Sequence, residues 1–155
     1  MPFACTTLRP DELRMRSSPQ RPIPVPTPLT QPFWDAAKDG RLAIQRCRGC
    51  RRYFHPPVTV CTRCYGTDLG FEPVSGHGHI YSRTIMHDPR MRGFEEAVPF
   101  AIIIVELVEQ RGLFLVSNLP GASIEDVEIG AEVQVMFEPM AAGFVLPQFR
   151  RSGRS

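Results

Sequence analysis

The 155-residue sequence has no long apolar segment, no strong charge imbalance and no internal repeat. Its longest apolar run, residues 100–105, has the length of a strand and is far shorter than the ~20 residues that a membrane-spanning helix needs. The net charge of +2 is too small to indicate a nucleic-acid-binding protein. No signal peptide is recognisable. We therefore expect a soluble, cytoplasmic protein of one domain or two very small ones.

Cysteine is scarce, and four of the five cysteines form two C-x2-C pairs. Cys47 and Cys50 make the first pair, Cys61 and Cys64 make the second, and ten residues separate the pairs. Each pair fits one tight turn, or knuckle, whose backbone N–H groups point at sulfur, and two knuckles can supply four thiolates in a tetrahedron. This ligand set favours zinc, although iron would fit the same cage. Because four thiolates leave no open position, the metal is expected to be structural.

Other uses of the cysteines fit the sequence less well. Two disulfides would require an oxidising compartment. A thioredoxin-like redox site would use one pair beside a β-α-β unit rather than two pairs in a ribbon. The fifth cysteine, Cys5, lies far from both pairs, and we expect it to be an unpaired thiol with no role.

Residues 1–29 are predicted to form an extended arm. Proline recurs at positions 19, 22, 24, 26 and 28. Each proline fixes φ and removes a hydrogen-bond donor, which favours polyproline II. The arm is interpreted either as a disordered tail or as a segment that docks along a partner subunit.

A short helix should follow the arm. Thr30 can cap it, Pro32 falls in its first turn, and Gly40 stands just past its end. Phe33 and Trp34, with Ala37 one turn later, form an apolar face that must pack on the ribbon or on another chain, because so short a helix is unstable alone.

The remaining segments read as short strands. Within the ribbon, strands are predicted at residues 41–46, with Leu42 and Ile44 on one side, and at residues 53–55. Beyond it, strands are predicted at residues 78–86, 100–108, 113–117, 132–137 and 144–149, with one helical turn at 123–127. In the first of these, alternation places one set of side chains opposite another: Ile80, Ser82, Thr84 and Met86 against Tyr81, Arg83 and Ile85.

Five short strands with glycine-rich turns are typical of a small Greek-key barrel, and the OB-fold is the best match. We therefore predict a mainly β protein with four parts. These are an arm at 1–29, a short helix plus a zinc ribbon at 30–70, a five-stranded OB-fold barrel at 71–150, and a flexible tail at 151–155.

The order of these parts resembles the DUF35 family, whose members combine a rubredoxin-like zinc ribbon with an OB-fold and associate with acyl-CoA enzymes. The resemblance covers roughly residues 30–150. The motifs that carry it are the Phe-Trp helix, Gly40-x-Leu42-x-x-Gln45-x-Cys47-x-x-Cys50, Cys61-x-x-Cys64, Gly78-x-Ile80-Tyr81-Ser82-x-Thr84, Ile129-Gly130-x-x-Val133 and Leu146-Pro147-x-Phe149.

The resemblance implies a non-catalytic subunit that binds and stabilises a thiolase-like enzyme, either a thiolase or a retro-aldolase, acting on acyl-CoA substrates. It also implies a CoA thioester at a shared site and, in some systems, a hotdog-fold enoyl-CoA hydratase as a further partner. Lipid or steroid side-chain degradation is the context that the family suggests.

Three ribbon arginines, Arg48, Arg51 and Arg52, are candidate contacts to the phosphates of CoA. The predicted ribbon contains six arginines and no carboxylate between Asp39 and Asp68. A guanidinium presents a planar donor fork that suits phosphate. The same charges would equally serve a contact with acidic partner residues or form a solvated surface.

No catalytic residue is predicted. His77, His79 and His87 cluster in sequence, but no nucleophile, second acid or phosphate-binding glycine loop accompanies them, so we interpret them as surface or interface residues. The loop at residues 88–97 carries Met91 and Phe94, which would be costly to expose. It is predicted to contact a partner or an acyl chain, unless it packs back onto the barrel.

Two rival functions remain open beside the accessory subunit. Zinc ribbons and OB-folds also occur in nucleic-acid-binding modules, but the acidic residues between positions 95 and 138 oppose phosphate binding. A free-standing enzyme is disfavoured by the closed metal cage and by the lack of a nucleophile–base pair.

Overall fold

A computed structural model describes residues 21–152. The predicted arm therefore lies largely outside the described residues, as do Cys5 and most of the predicted tail. Residues 21–27 form neither helix nor strand. At the start of this segment, the Arg21 guanidinium binds the Glu138 carboxylate and lies 5.9 Å from the centre of the Phe94 ring. This end of the segment thus rests on the barrel.

The single α-helix of the described residues, α1, spans Gln31–Lys38 and ends as its sequence predicts. Gly40 adopts a left-handed φ of 70°, and its N–H donates to the Ala37 carbonyl. The Arg41 N–H reaches back to the Ala36 carbonyl at 2.9 Å, which completes a Schellman cap. The predicted side-chain cap at the other end is absent, because the Thr30 hydroxyl accepts the Thr27 N–H instead.

The ribbon is a three-stranded antiparallel sheet. Its strands are β1 (Ala43–Cys47), β2 (Tyr53–Phe54) and β3 (Leu69–Pro73), in the order β2-β1-β3. Leu42 and Ile44, predicted to share one side of the strand, are both buried in the core. The strand β3 was not predicted; it contains a glycine, ends in proline and pairs with the full length of β1.

The barrel contains five antiparallel strands. They are β4 (His77–Met86), β5 (Phe100–Leu107), β6 (Phe114–Asn118), β7 (Glu132–Pro139) and β8 (Val145–Arg151). Their order is β6-β5-β4-β7-β8, and β6 approaches β8 at the open seam. Short 3₁₀ turns at Ile124–Asp126 and Ala141–Gly143 interrupt the connections. The predicted mainly β fold with an OB-type barrel is confirmed.

The predicted alternation of β4 is wrong beyond Ile80. The pairing with β5 shifts between Ile80 and Ser82, so that Tyr81 forms a β-bulge. Ile85 consequently points to the same interior face as Ile80, since both pair opposite buried β5 residues. A one-residue insertion exchanges the two faces of a strand, which simple alternation cannot anticipate.

The core of the barrel lies between alternate residues of its strands. In β5 the buried side chains are Ala101, Ile103, Val105 and Leu107, while the intervening ones are half-buried. The continuously apolar run thus marks a strand that lines the interior and has a partly apolar outer face. No helix among residues 21–152 is long and apolar enough to cross a membrane.

Polar and aromatic contacts fasten the ribbon to the barrel. The Gln110 side chain, in the turn between β5 and β6, accepts the Tyr53 N–H at 2.8 Å and donates to the Tyr53 carbonyl. The neighbouring Glu109 carboxylate accepts the Ser75 N–H. In addition, Trp34 of α1 packs on Phe144 with ring centres 4.9 Å apart. These contacts fix the metal-binding knuckles relative to the barrel.

Candidate metal centre

The two cysteine pairs converge at one point of the ribbon. All four sulfur atoms lie within 4.8 Å of one another. The Cys47 and Cys64 sulfurs are 3.6 Å apart, and those of Cys50 and Cys61 are 3.5 Å apart. A tetrahedral zinc site with bonds of ~2.3 Å requires sulfur separations of about 3.8 Å. The cage therefore has the size that a zinc ion needs.

The two knuckles repeat the same backbone pattern. The Arg51 N–H donates to the Cys47 carbonyl and the Tyr65 N–H donates to the Cys61 carbonyl, each at 2.9 Å. Arg51 and Tyr65 both adopt left-handed φ values, 63° and 58°. Non-glycine residues rarely take this conformation. The left-handed conformation at both positions turns each knuckle so that the four sulfurs meet at one point.

The N–H groups of the second knuckle point at sulfur, as predicted. The Cys64 N–H donates to the Cys61 sulfur at 3.5 Å. Burial would raise the pKa of the Cys61 thiol, but the N–H groups of Cys64 and Arg63 help to lower it to about 6. The Gly66 N–H lowers the pKa of Cys64, whereas the neighbouring thiols raise it to about 11. Cys61 is thus readily available as a thiolate, the form that binds metal.

A buried glutamine holds the hairpin that joins the knuckles. Gln45 is only 4% exposed; its side chain donates to the Val58 carbonyl at 2.9 Å and accepts the Val58 N–H at 2.8 Å. It thereby satisfies two backbone groups of the segment between Cys50 and Cys61. The sequence contains Gln45 within the family motif but gives no sign of this partner.

The ribbon arginines largely meet carboxylates of the ribbon itself. Arg51 pairs with Glu72 at 3.1 Å, and Arg48 pairs more loosely with Asp68 at 3.5 Å. Arg46 also binds Glu72, and the pairing holds the pKa of that carboxyl below its ordinary value. Of the three candidate phosphate contacts, Arg52 alone has no side-chain partner within residues 21–152. Glu72 was missed because it lies on the unpredicted strand β3.

The histidines do not form an acid–base constellation. His77 and His87 are exposed, and His79 forms a surface pair with Glu106 at 3.1 Å. The Asp88 carboxylate binds Arg90 at 2.8 Å. In the loop at 88–97, Phe94 stacks on Phe100 with ring centres 5.0 Å apart. This aromatic residue thus packs back onto the barrel.

A four-cysteine ribbon joined to a five-stranded barrel defines the class of zinc-ribbon and OB-fold proteins. Two family models match the chain in the same order. The ChsH2 rubredoxin-like zinc ribbon domain matches residues 34–70, and the ChsH2 C-terminal OB-fold domain matches residues 71–138. Both models describe parts of one kind of protein.

Solved structures extend the likeness to nearly the whole chain. The structure of an Ltp2-ChsH2(DUF35) aldolase contains a chain that is 34% identical, with a TM-score of 0.77 over 84% of this chain and 100% of that one. A DUF35 protein of unknown function from Sulfolobus solfataricus is 18% identical, with a TM-score of 0.58 over 81% and 86% of the two chains, and supports the fold alone. The chain belongs to the DUF35 family.

Curated relatives carry hydratase names. The probable enoyl-CoA hydratase alpha subunit of Thermomonospora curvata is 38% identical over 76% of this chain and 36% of its own length. The 3-oxo-4,17-pregnadiene-20-carboxyl-CoA hydratase alpha subunit of Mycobacterium tuberculosis is 35% identical over 68% of this chain and 32% of its own. The chain therefore spans about a third of the length of these relatives.

Proposed function

We propose that this protein is a non-catalytic subunit that binds and stabilises a thiolase-like enzyme, a thiolase or retro-aldolase, acting on CoA thioesters. The observation that carries the proposal is the likeness to the DUF35 chain in the Ltp2-ChsH2(DUF35) aldolase, which this chain covers completely. The name of that assembly joins a DUF35 protein to an aldolase. The hydratase names of the curated relatives favour a hydratase as a further partner and a CoA thioester as substrate.

The metal assigned to this subunit is one structural zinc ion held by Cys47, Cys50, Cys61 and Cys64. The spacing of the sulfurs and the paired knuckles support it. When bound, zinc would cross-link the two knuckles and would take no part in a reaction, because four thiolates fill all positions of its tetrahedral coordination sphere. The described histidines and carboxylates likewise give no nucleophile–base pair, which supports a non-catalytic role.

A CoA thioester is proposed to reach the ribbon at the shared surface. Arg52 is the best of the candidate phosphate contacts, since Arg48 and Arg51 already face carboxylates. Arg52→Ala should therefore weaken binding of a CoA thioester to the complex, whereas Arg111→Ala, at an exposed position, should not. Equal affinities of the two variants, measured by titration calorimetry, would remove CoA from the proposal.

Affinity purification tests the proposed partner. The tagged chain is recovered from its native host at low salt, and the co-purifying proteins are identified by mass spectrometry. A thiolase-fold enzyme, with or without a hydratase, is the expected result. Recovery of the chain alone, or with single-stranded nucleic acid that high salt releases, would contradict the accessory-subunit function and favour the nucleic-acid-binding alternative.

A further inference from the structure

A small uncharged cavity opens at the seam between ribbon and barrel. Its volume is about 180 Å³, and its walls come from α1, the hairpin after β2, β6 and β8. Trp34, Pro57, Leu115 and Leu146 are among its apolar lining residues. It lies between the two end strands of the barrel sheet, where β6 and β8 are not hydrogen-bonded to each other.

Among residues 21–152, no charged side chain lines this cavity. The one ionisable group that these residues contribute to its wall is His55, whose ring packs on Phe33 with centres 5.3 Å apart. Its burial lowers its pKa to about 4, so the imidazole is neutral at physiological pH. Within residues 21–152 the imidazole has no hydrogen-bond partner. The cavity therefore complements an uncharged group and disfavours a phosphate or a carboxylate.

An apolar surface continues outward from the mouth of the cavity. We call it the β6 strip, and it consists of Tyr81, Ile104, Phe114 and Val116. Val116 lines the cavity mouth and is 72% exposed, and Ile104 pairs beside it on the same outer face. Tyr81 and Phe114 extend the strip, with ring centres 4.6 Å apart. The apolar surface is thus larger than the cavity, as in an interface with one anchoring pocket.

The second edge of the β6 backbone is not hydrogen-bonded to another strand. β6 pairs with β5 along one edge only, and no other backbone–backbone hydrogen bond reaches Phe114–Asn118 within residues 21–152. Because β8 approaches the other edge, the room for a partner lies on the outer face, over the β6 strip, rather than between the two strands. A small molecule would use the cavity but leave the strip uncovered.

We propose that an apolar segment of the partner enzyme covers the β6 strip and inserts one uncharged side chain into the cavity. This inference rests on the proposed function and names the surface that serves it. The size of the cavity agrees: apolar cavities of about 150 Å³ accommodate a benzene ring, whereas ligand pockets usually exceed ~300 Å³. The space at the seam fits one side chain rather than a CoA thioester.

The test compares charged substitutions at two exposed valines. Val116→Asp and Val116→Arg would bury an unpaired charge in the interface, whereas Val108→Asp and Val108→Arg, at a site 65% exposed and outside the cavity lining, would not. Each variant is checked for native metal content and circular dichroism. Affinity for the enzyme that co-purifies with the wild type is then measured by biolayer interferometry. We expect both Val116 variants to lose at least about tenfold, and both Val108 variants to bind normally.

The outcomes separate this inference from the proposed function. If the wild type captures a thiolase-fold enzyme and the Val116 variants bind it equally well, the surface assignment is wrong while the accessory function stands. Loss with only one sign of charge would indicate an electrostatic contact and would also overturn it. A homodimer that the Val116 substitutions dissociate would assign the strip to a second copy. If the wild type captures no such enzyme, both proposals fail.

Discussion

Single residues decide whether the two knuckles meet. Cys47 and Cys61 are almost completely buried, whereas Cys64 is exposed, so the cage stands at the ribbon surface with its inner half in the core. The left-handed Arg51 and Tyr65 bend the chain at equivalent points of the two loops. The two pairs could be predicted from cysteine spacing alone. Gln45 could not, because its partner at Val58 depends on the tertiary path of the hairpin.

Removal of one of the four sulfurs should release the metal and unfold the ribbon. Cys47→Ser leaves three thiolates, and the free energy of metal binding that stabilises the ribbon is lost or sharply reduced. We expect metal analysis to fall well below one zinc per chain and binding of the partner enzyme to disappear. Cys5→Ser, outside the paired motif, is the matched control and should keep both. A Cys47→Ser protein that retains zinc and partner would refute the structural-zinc assignment.

His55 should make stability depend on pH. Its folded pKa of about 4 lies below the unfolded value of about 6.5, so the unfolded chain binds the extra proton between these values. The stabilisation is complete above pH 6.5 and is lost as the pH falls toward 4. We expect it to account for about 2 kcal/mol of destabilisation between pH 7 and pH 5.

Urea denaturation at pH 7 and pH 5 measures this contribution. His55→Phe should lose less stability over the interval than the wild type, because the apolar ring has nothing to protonate. His79→Gln, at a histidine 43% exposed, should follow the wild type, and any acid release of zinc is common to all three proteins. An identical loss in His55→Phe and wild type would show that burial of His55 does not govern the acid response.

Among the elements, the strands follow the sequence where alternation or apolar runs are strong, as in β5 and β7. The strand β3 escaped prediction because Leu-Gly-Phe-Glu-Pro has little β propensity of its own and is held by pairing with β1. The bulge at Tyr81 escaped because alternation carries no mark of an inserted residue. Both features depend on residues that are distant in sequence. The cavity could not be predicted for the same reason, because its walls come from four separate elements.

Close packing between β4 and β5 makes Gly78 sensitive to substitution. A Cβ at this position would lie 2.6 Å from the Glu106 carbonyl oxygen and 2.6 Å from the Val105 side chain. Gly78→Ala must therefore push two paired strands apart, and we expect a loss of about 1–3 kcal/mol in the free energy of unfolding.

A second glycine provides the control. In Gly70→Ala the new Cβ would meet the flexible end of the Arg48 side chain at 3.2 Å, which can move aside. Its cost should stay below about 1 kcal/mol. The free energies of unfolding of the two variants are compared by chemical denaturation. Equal values would mean that the close contact between β4 and β5 at Gly78 does not limit the size of the side chain there.

For the molecule as a whole, the ribbon and the barrel pack together through polar and aromatic contacts. Gln110 and Glu109 fasten the ribbon to the barrel, and α1 packs across the seam. The fold class, the cysteine cage and the family could be predicted from the sequence. The β6 strip and its cavity were not, because only the folded chain brings Trp34, His55 and Val116 together.

The central claim is that this chain completes an enzyme without catalysing a reaction itself. The most direct measurement compares acyl-CoA turnover by the co-purified thiolase-like enzyme alone, by this chain alone, and by the two mixed in equal amounts. We predict no turnover by the chain alone, a clear gain in rate and thermal stability of the enzyme on mixing, and one zinc per chain in the complex. Turnover by the isolated chain, or an enzyme indifferent to its addition, would contradict the account.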